Sequence, residues 1–166
     1  GDVDEDDLML GGGFDEEAPG RNDVDIPPAM PPLRRRLLLA RLVRQYSSDI
    51  TVDQAVRLAA ELERFLDQIQ TERLGFDKLS DLAPAEFAQH WQRTLEFLRI
   101  LTEHWPALLT AEGTIDGADR RNRMLAAQAD LWRVAPPSGP VVAAGSTGSI
   151  PATADLLAVV STLPNG

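Results

Sequence analysis

Between Thr51 and Gly75 the apolar residues fall at Val52, Val56, Ala59, Leu62, Leu66 and Ile69. Steps of three and four place them along one face of an α-helix. The start is marked as firmly as the face. Thr51 is followed three residues later by Gln54, the spacing of a capping box in which each side chain satisfies the other residue's amide. Gly75 marks the stop. A one-faced helix of this length draws most of its stability from packing that face, so the segment commits the chain to helix-on-helix packing.

The neighbouring segments supply partners. Pro32 suits a first helical position, where a fixed φ and a missing N–H cost little. The run Leu33 to Val43 follows it, with Ser47, Ser48 and Asp49 as the end. After a linker, Phe76 to Ala83, anchored by Leu79 and Leu82, the spacing predicts a helix from Pro84 to about His104. Its stripe is Phe87, Trp91, Leu95, Leu98 and Leu101. Pro106 opens a further turn or two that ends at Gly113, and Asp116 precedes a helix over 118–134 with Met124, Leu125, Leu131 and Trp132 inward. Pro136-Pro137-Ser138-Gly139-Pro140 breaks the chain. Val141-Val142-Ala143-Ala144 then suits a buried strand, Gly145 to Ile150 a loop, and Pro151 the start of a last helix to about Leu163. The expected fold is mainly α, with residues 1–31 an acidic Gly/Pro-rich loop segment, 32–135 a helical subdomain, and 136–166 one strand–loop–helix unit of an incomplete α/β core. Such a unit needs neighbouring strands, so it is expected to leave apolar surface exposed.

Charge is partitioned. Residues 1–25 hold ten acids and one base, a net −9; residues 26–166 hold sixteen acids and fifteen bases, a net −1. The body lacks the strongly basic balance of a stand-alone nucleic-acid-binding domain. There is no cysteine, hence no disulfide framework, thiolate metal site or Cys nucleophile, which fits a reducing cytoplasm. No apolar run approaches a membrane span, and the acidic start is unlike a signal peptide. The start at Gly1 and the end at Gly166, just after an apolar run, read as an excerpt from a longer chain.

Three features carry candidate chemistry. The loop with Ser146, Thr147 and Ser149 joins a strand-like run to a helix, where backbone N–H groups can face a phosphate; it has no Gly-Lys-Ser/Thr, and the plainer reading is a tight turn. Arg34, Arg35 and Arg36, and further on Arg120, Arg121 and Arg123, are candidates for phosphate contact or, more plainly, for a solvated helix face paired with nearby acids. His90 and His104 have no carboxylate pair at metal-ligand spacing and read as structural, as do Trp91 and Trp132. The acids Asp2 to Asp7 lack the Gly and Glu spacing of a calcium loop.

Several stretches together carry a family resemblance. They are Gly1-Asp2-Val3-Asp4-Glu5-Asp6, Ile26-Pro27-Pro28-Ala29-Met30-Pro31-Pro32-Leu33-Arg34-Arg35-Arg36-Leu37-Leu38-Leu39-Ala40-Arg41-Leu42, His90-Trp91-Gln92-Arg93-Thr94-Leu95-Glu96-Phe97-Leu98, Glu103-His104-Trp105-Pro106, Arg120-Arg121-Asn122-Arg123, and Ala143-Ala144-Gly145-Ser146-Thr147-Gly148-Ser149-Ile150-Pro151-Ala152-Thr153. In these the chain resembles AddB, the family of subunits of the bacterial AddAB helicase–nuclease, in its alphaproteobacterial form. The resemblance implies a cytoplasmic enzyme that processes broken DNA ends for recombination, with an AddA-type helicase–nuclease subunit and DNA as partners. It implies a helicase-like N-terminal half, to which this chain would belong, and a RecB-like nuclease with an iron–sulfur cluster in a region this chain lacks. ATP, Mg and the cluster are expected in the parent complex and no cofactor in this piece. The helices would match an insertion of the first helicase-like domain, and the final unit would return to the α/β core. A Walker B strand would end in Asp-Glu; Ala143-Ala144-Gly145 stand here, which argues against ATP hydrolysis at this spot. The resemblance implies that the Gly145–Thr153 loop faces the single-stranded DNA path and that the arginines line it. The rival reading is an independent helical interaction module with an acidic arm. A small enzyme at the Gly145 loop lacks an acid, base or nucleophile at sensible spacing.

Overall fold

The computed structural model describes residues 25–47, 49–74 and 98–164, and these are mainly helical. Helix α1 spans Pro32–Tyr46 and α2 spans Val52–Thr71. A π-helical segment, Ile100–His104, runs directly into α3, Trp105–Ala111; α4 spans Gly117–Val134 and α5 spans Pro151–Val160.

The helix starts follow the local chemistry. Pro32 and Pro151 occupy first-turn positions of α1 and α5. The capping box forms as expected: the Gln54 amide donates to Thr51 Oγ1 at 3.3 Å and the Thr51 amide donates to Gln54 Oε1 at 2.8 Å. The stops show one difference. Helix α3 closes on Gly113, whose φ is +63°; its amide reaches Thr110 O at 3.1 Å, and the Thr114 amide reaches Leu109 O at 3.0 Å. This is the Schellman arrangement. Helix α2 closes the same way but earlier than Gly75, which lies outside the described residues. Here Arg73 takes the left-handed position with φ +53°, and the Leu74 amide reaches back to Ile69 O at 2.9 Å. Any non-glycine residue in that conformation is strained by its Cβ.

Helices α1 and α2 pack as a hairpin. Leu39, Ala40 and Val43 meet Ala55, Ala59, Leu62 and Leu66, and Ile100, Leu101 and Trp105 join the same core. The predicted α2 stripe is therefore buried at Ala59, Leu62, Leu66 and Ile69, partly buried at Val56, and open at its first residue: Val52, in the first turn, is 59% exposed. A smaller contact joins α4 to α5, where Ala129, Ala152, Val159 and Val160 are buried.

The chain ahead of α1, expected as loop, is pinned. The Met30 amide donates to Ile115 O at 2.9 Å and the Ile115 amide to Pro28 O at 3.1 Å, an isolated parallel bridge centred on Ala29 and Ile115. This bridge sets the start of α1 beside the start of α4.

Three further expectations need correction or restriction. Residues 141–144 form no strand; no strand lies beside them among the described residues, and a lone extended segment gains no ladder hydrogen bonds. Val142 is accordingly 83% exposed. Met124 faces outward at 47% exposure; Ala118, Asn122 and Ala129 are the buried positions of α4. Of the helix expected from Pro84, only its end from Leu98 falls within the described residues, and there it winds as a π-helix.

The Arg73 turn yields a prediction. Arg73→Gly removes the left-handed strain and loses only a surface ion pair to Asp155, which is worth little. The variant is expected to be more stable by about 0.5–1 kcal/mol in denaturant unfolding. A loss of similar size would show that the ion pair outweighs the strain.

Candidate functional site

Successive residues on a helix point about 100° apart, and the three adjacent arginines of α1 accordingly go three ways. Arg34 donates through Nε and Nη2 to Glu112 Oε2, at 3.0 and 2.6 Å, just past α3. Arg36 donates from Nε to Glu63 Oε2 at 2.6 Å, across the α1–α2 contact. That hydrogen bond raises the Arg36 pKa further above its ordinary value, so Arg36 stays charged. Arg35 points inward, with its side chain only 10% exposed.

Arg35 enters the densest polar network among the described residues. Its Nη1 lies 2.9 Å from Asp67 Oδ1 on α2, and its Nε lies 2.8 Å from Asp116 Oδ1. The Asp116 side chain is fully buried. Its other oxygen, Oδ2, accepts from Trp105 Nε1 at 3.0 Å and from Gln70 Nε2 at 2.7 Å. One carboxylate thus ties α1, α2, α3 and the start of α4 together. Asp116 sits at an N-cap position but caps nothing with its side chain; its charge is used inside. Asn122 adds a second link, donating from Nδ2 to Gln70 O at 2.6 Å.

A cleft of about 380 Å³ opens beside this network, lined in part by Arg35, Glu63, Asp67, Thr71 and Arg121. Two bases and two acids share it, so their charges offset and it presents no cationic field for an anion.

The second basic run is similarly divided. Arg123 makes a two-point pair with Asp119, at 3.1 and 2.8 Å. Arg121 donates to Thr71 Oγ1 at 2.8 Å, and Arg120 has, among the described residues, only the weak acceptor Met124 Sδ at 3.0 Å. Among the described residues ten ion pairs engage nine arginines: 34, 35, 36, 57, 64, 73, 99, 123 and 133.

The terminal loop is different in kind. Gly145 and Gly148 have φ of +72° and +66°. Thr147 Oγ1 donates to Ser149 Oγ at 3.2 Å, and the Gly148 amide donates to Ser146 Oγ at 3.3 Å. Ser146, Thr147 and Ser149 are exposed. Helix α5 begins just beyond them with Ile150 as its cap residue, no side-chain cap and no acid in its first turn. The loop therefore offers hydroxyls and uncapped amides, donors without charge. No hydrogen bond or ion pair joins those hydroxyls to any arginine among the described residues.

His104 meets Tyr46: the Tyr hydroxyl and His Nε2 are in contact, with ring centres 5.1 Å apart. This joins the end of α1 to the π-helical segment. Its neighbour Glu103 is held below the usual carboxylate range by the hydrogen bond from Arg99, so any stabilisation from that exposed pair is present above the ordinary carboxylate pKa and fades as pH falls through the lowered value. His90 and Trp91 lie outside the described residues. No group of three His, Cys, Asp or Glu suited to a metal occurs among the described residues.

Sequence reasoning missed Asp116, Trp105 and Gln70. Their convergence is a tertiary fact: Trp105 and Gln70 lie 11 and 46 positions from Asp116, and none shares a local motif with another. Trp105→Phe keeps an aromatic ring in the core but removes the donor to a buried carboxylate. It is expected to cost about 1–3 kcal/mol, whereas Arg34→Ala, which loses an exposed pair, should cost about 1 kcal/mol or less. Denaturant unfolding of both variants checks the order, and equal losses would contradict it.

No protein-family model matches the chain, and comparison with curated proteins and with solved structures gives no significant match.

Proposed function

We propose that this chain is a scaffold segment of an AddB-type subunit of a bacterial helicase–nuclease, acting in the processing of DNA double-strand breaks, and that its Gly145–Thr153 loop meets single-stranded DNA. The resemblance of the Ile26–Leu42 and Ala143–Thr153 stretches supports the family reading. The observation that carries the loop's role is its geometry: three exposed hydroxyls beside two left-handed glycines, at a helix start with neither a capping side chain nor an acid. Neutral donors of this kind suit phosphate oxygens and position a backbone without reading its sequence.

On this reading the helices hold the loop and the final helix at the edge of a helicase-like core completed by the rest of the subunit. Val141–Ala144 would gain strand neighbours there. ATP hydrolysis and strand cleavage belong to other parts of the complex, with the AddA-type subunit, Mg and an iron–sulfur cluster; this chain has no cysteine to ligate one. A cytoplasmic location goes with the same reading. Because Arg34, Arg35, Arg36 and Arg123 are engaged by carboxylates, DNA contact falls first to the loop, then to Arg120 and Arg121.

A second reading, an independent helical interaction module, is favoured by that internal use of the arginines. The genomic reading frame separates the two: continuation into a RecB-type nuclease motif with clustered cysteines favours the first, and a stop after Gly166 the second.

The loop is tested in the full two-subunit complex carrying Ser146→Glu, Thr147→Glu and Ser149→Glu together. Single-strand affinity is expected to fall about ten-fold or more, or ~1.4 kcal/mol, through added like charge. Unchanged affinity would overturn the loop's role.

A further inference from the structure

Arg41 and Arg44 stand apart from the arginines just described. Both are exposed on α1, and neither has a carboxylate partner among the described residues. Spaced by three, they share a helix face. They border a groove of about 470 Å³ between α1 and the start of α2, with Leu37, Val52 and Val56 also in its walls and no acid among the described residues that line it. Leu37 and Val52 are 56% and 59% exposed. A fold that engages nine arginines internally thus leaves two adjacent cations beside an uncovered apolar floor.

We infer that this groove docks residues 1–25 of the same chain, with Leu8-Met9-Leu10 on the apolar floor and the adjoining Asp6-Asp7 carboxylates on Arg41 and Arg44. The argument is complementarity and tethering. Those 25 residues carry ten acids against one base, while the rest of the chain is nearly neutral. Their one run of three large apolar residues directly follows acids, the same pairing of apolar floor and charge that the groove presents in opposite sign. Reach is ample: fourteen residues, or fifteen steps along the chain, separate Leu10 from Asp25, up to roughly 50 Å of extended chain, and α1 from Pro32 to Arg41 rises only about 14 Å. A tether of that kind holds the segment at an effective concentration on the order of millimolar, so a weak contact suffices. A phosphodiester strand would satisfy the two guanidinium groups and leave the apolar floor uncovered, which favours the peptide. The inference does not depend on the DNA-repair reading.

The test uses the whole 166-residue chain with a benzophenone amino acid at position 9, in an equal mixture of light and ¹⁵N-labelled protein, followed by light-induced crosslinking and peptide mass spectrometry. The expected result is crosslinking within one chain to residues 37–56. Its yield should fall about five-fold or more in Arg41→Glu with Arg44→Glu and decline as salt rises. Unchanged helical content by circular dichroism checks that these exposed substitutions keep the fold. Adding Asp6→Arg and Asp7→Arg to that variant should restore the yield. Crosslinks to other regions, crosslinks joining light to heavy chains, or a yield indifferent to the reversal would each overturn the inference.

Discussion

Arg35 and Asp116 face each other at 2.8 Å with little or no access to water. Desolvating two such charges is expensive, and the contact is a close ion pair without a hydrogen bond, since Arg35 Nε and Asp116 Oδ1 both lack a hydrogen-bond partner. The pair is held in place from several sides. Asp67 takes the other side of the guanidinium, while Trp105 and Gln70 occupy the second oxygen of Asp116. The partners come from α1, α2, α3 and the turn before α4, so the pair defines where those elements meet. The Ala29–Ile115 bridge acts upstream of it, setting Pro31 and Asp116 close enough for the first turn of α1 to reach the carboxylate.

This arrangement bears on how the basic run in α1 is used. In sequence, three consecutive arginines look like a cationic patch. In the helix they diverge, and each finds its own acid: Glu112 past α3 for Arg34, Asp67 on α2 with Asp116 for Arg35, and Glu63 on α2 for Arg36. The run serves as a set of three clamps between α1 and its surroundings. The charge left for outside partners lies elsewhere, at Arg41 and Arg44 over an apolar groove and at Arg120 and Arg121 on α4, while the terminal loop offers hydroxyls and amides without charge.

Local signals were legible and distant ones were not. The Thr51–Gln54 box, Pro32, Pro151 and Gly113 act on their own few residues of backbone, and each appears where the sequence puts it. The α2 stripe was readable because one helical period suffices to define a buried face. The α2 stop was misplaced because Arg73, not a glycine, takes the left-handed position, a choice no turn rule favours. Val141–Ala144 has strand-like composition, but pairing is a property of two segments. Met124 followed helical spacing and still faces solvent, since the inward face of α4 is built from small residues, Ala118, Asn122 and Ala129, that carry a weak periodic signal. Asp116 was visible only as a helix start, because its partners are brought in by tertiary contacts.

The central claim is that the buried Arg35–Asp116 pair couples α1 to the junction of α3 and α4. A double-mutant cycle with Arg35→Met, Asp116→Leu and the combined variant, followed by denaturant unfolding, measures that coupling. Each single change should cost about 3–5 kcal/mol because it strands the other charge. The double variant should be more stable than the sum of the two losses implies by about 2 kcal/mol or more. Losses that add to within about 0.5 kcal/mol would show that the two side chains act independently and would contradict the account.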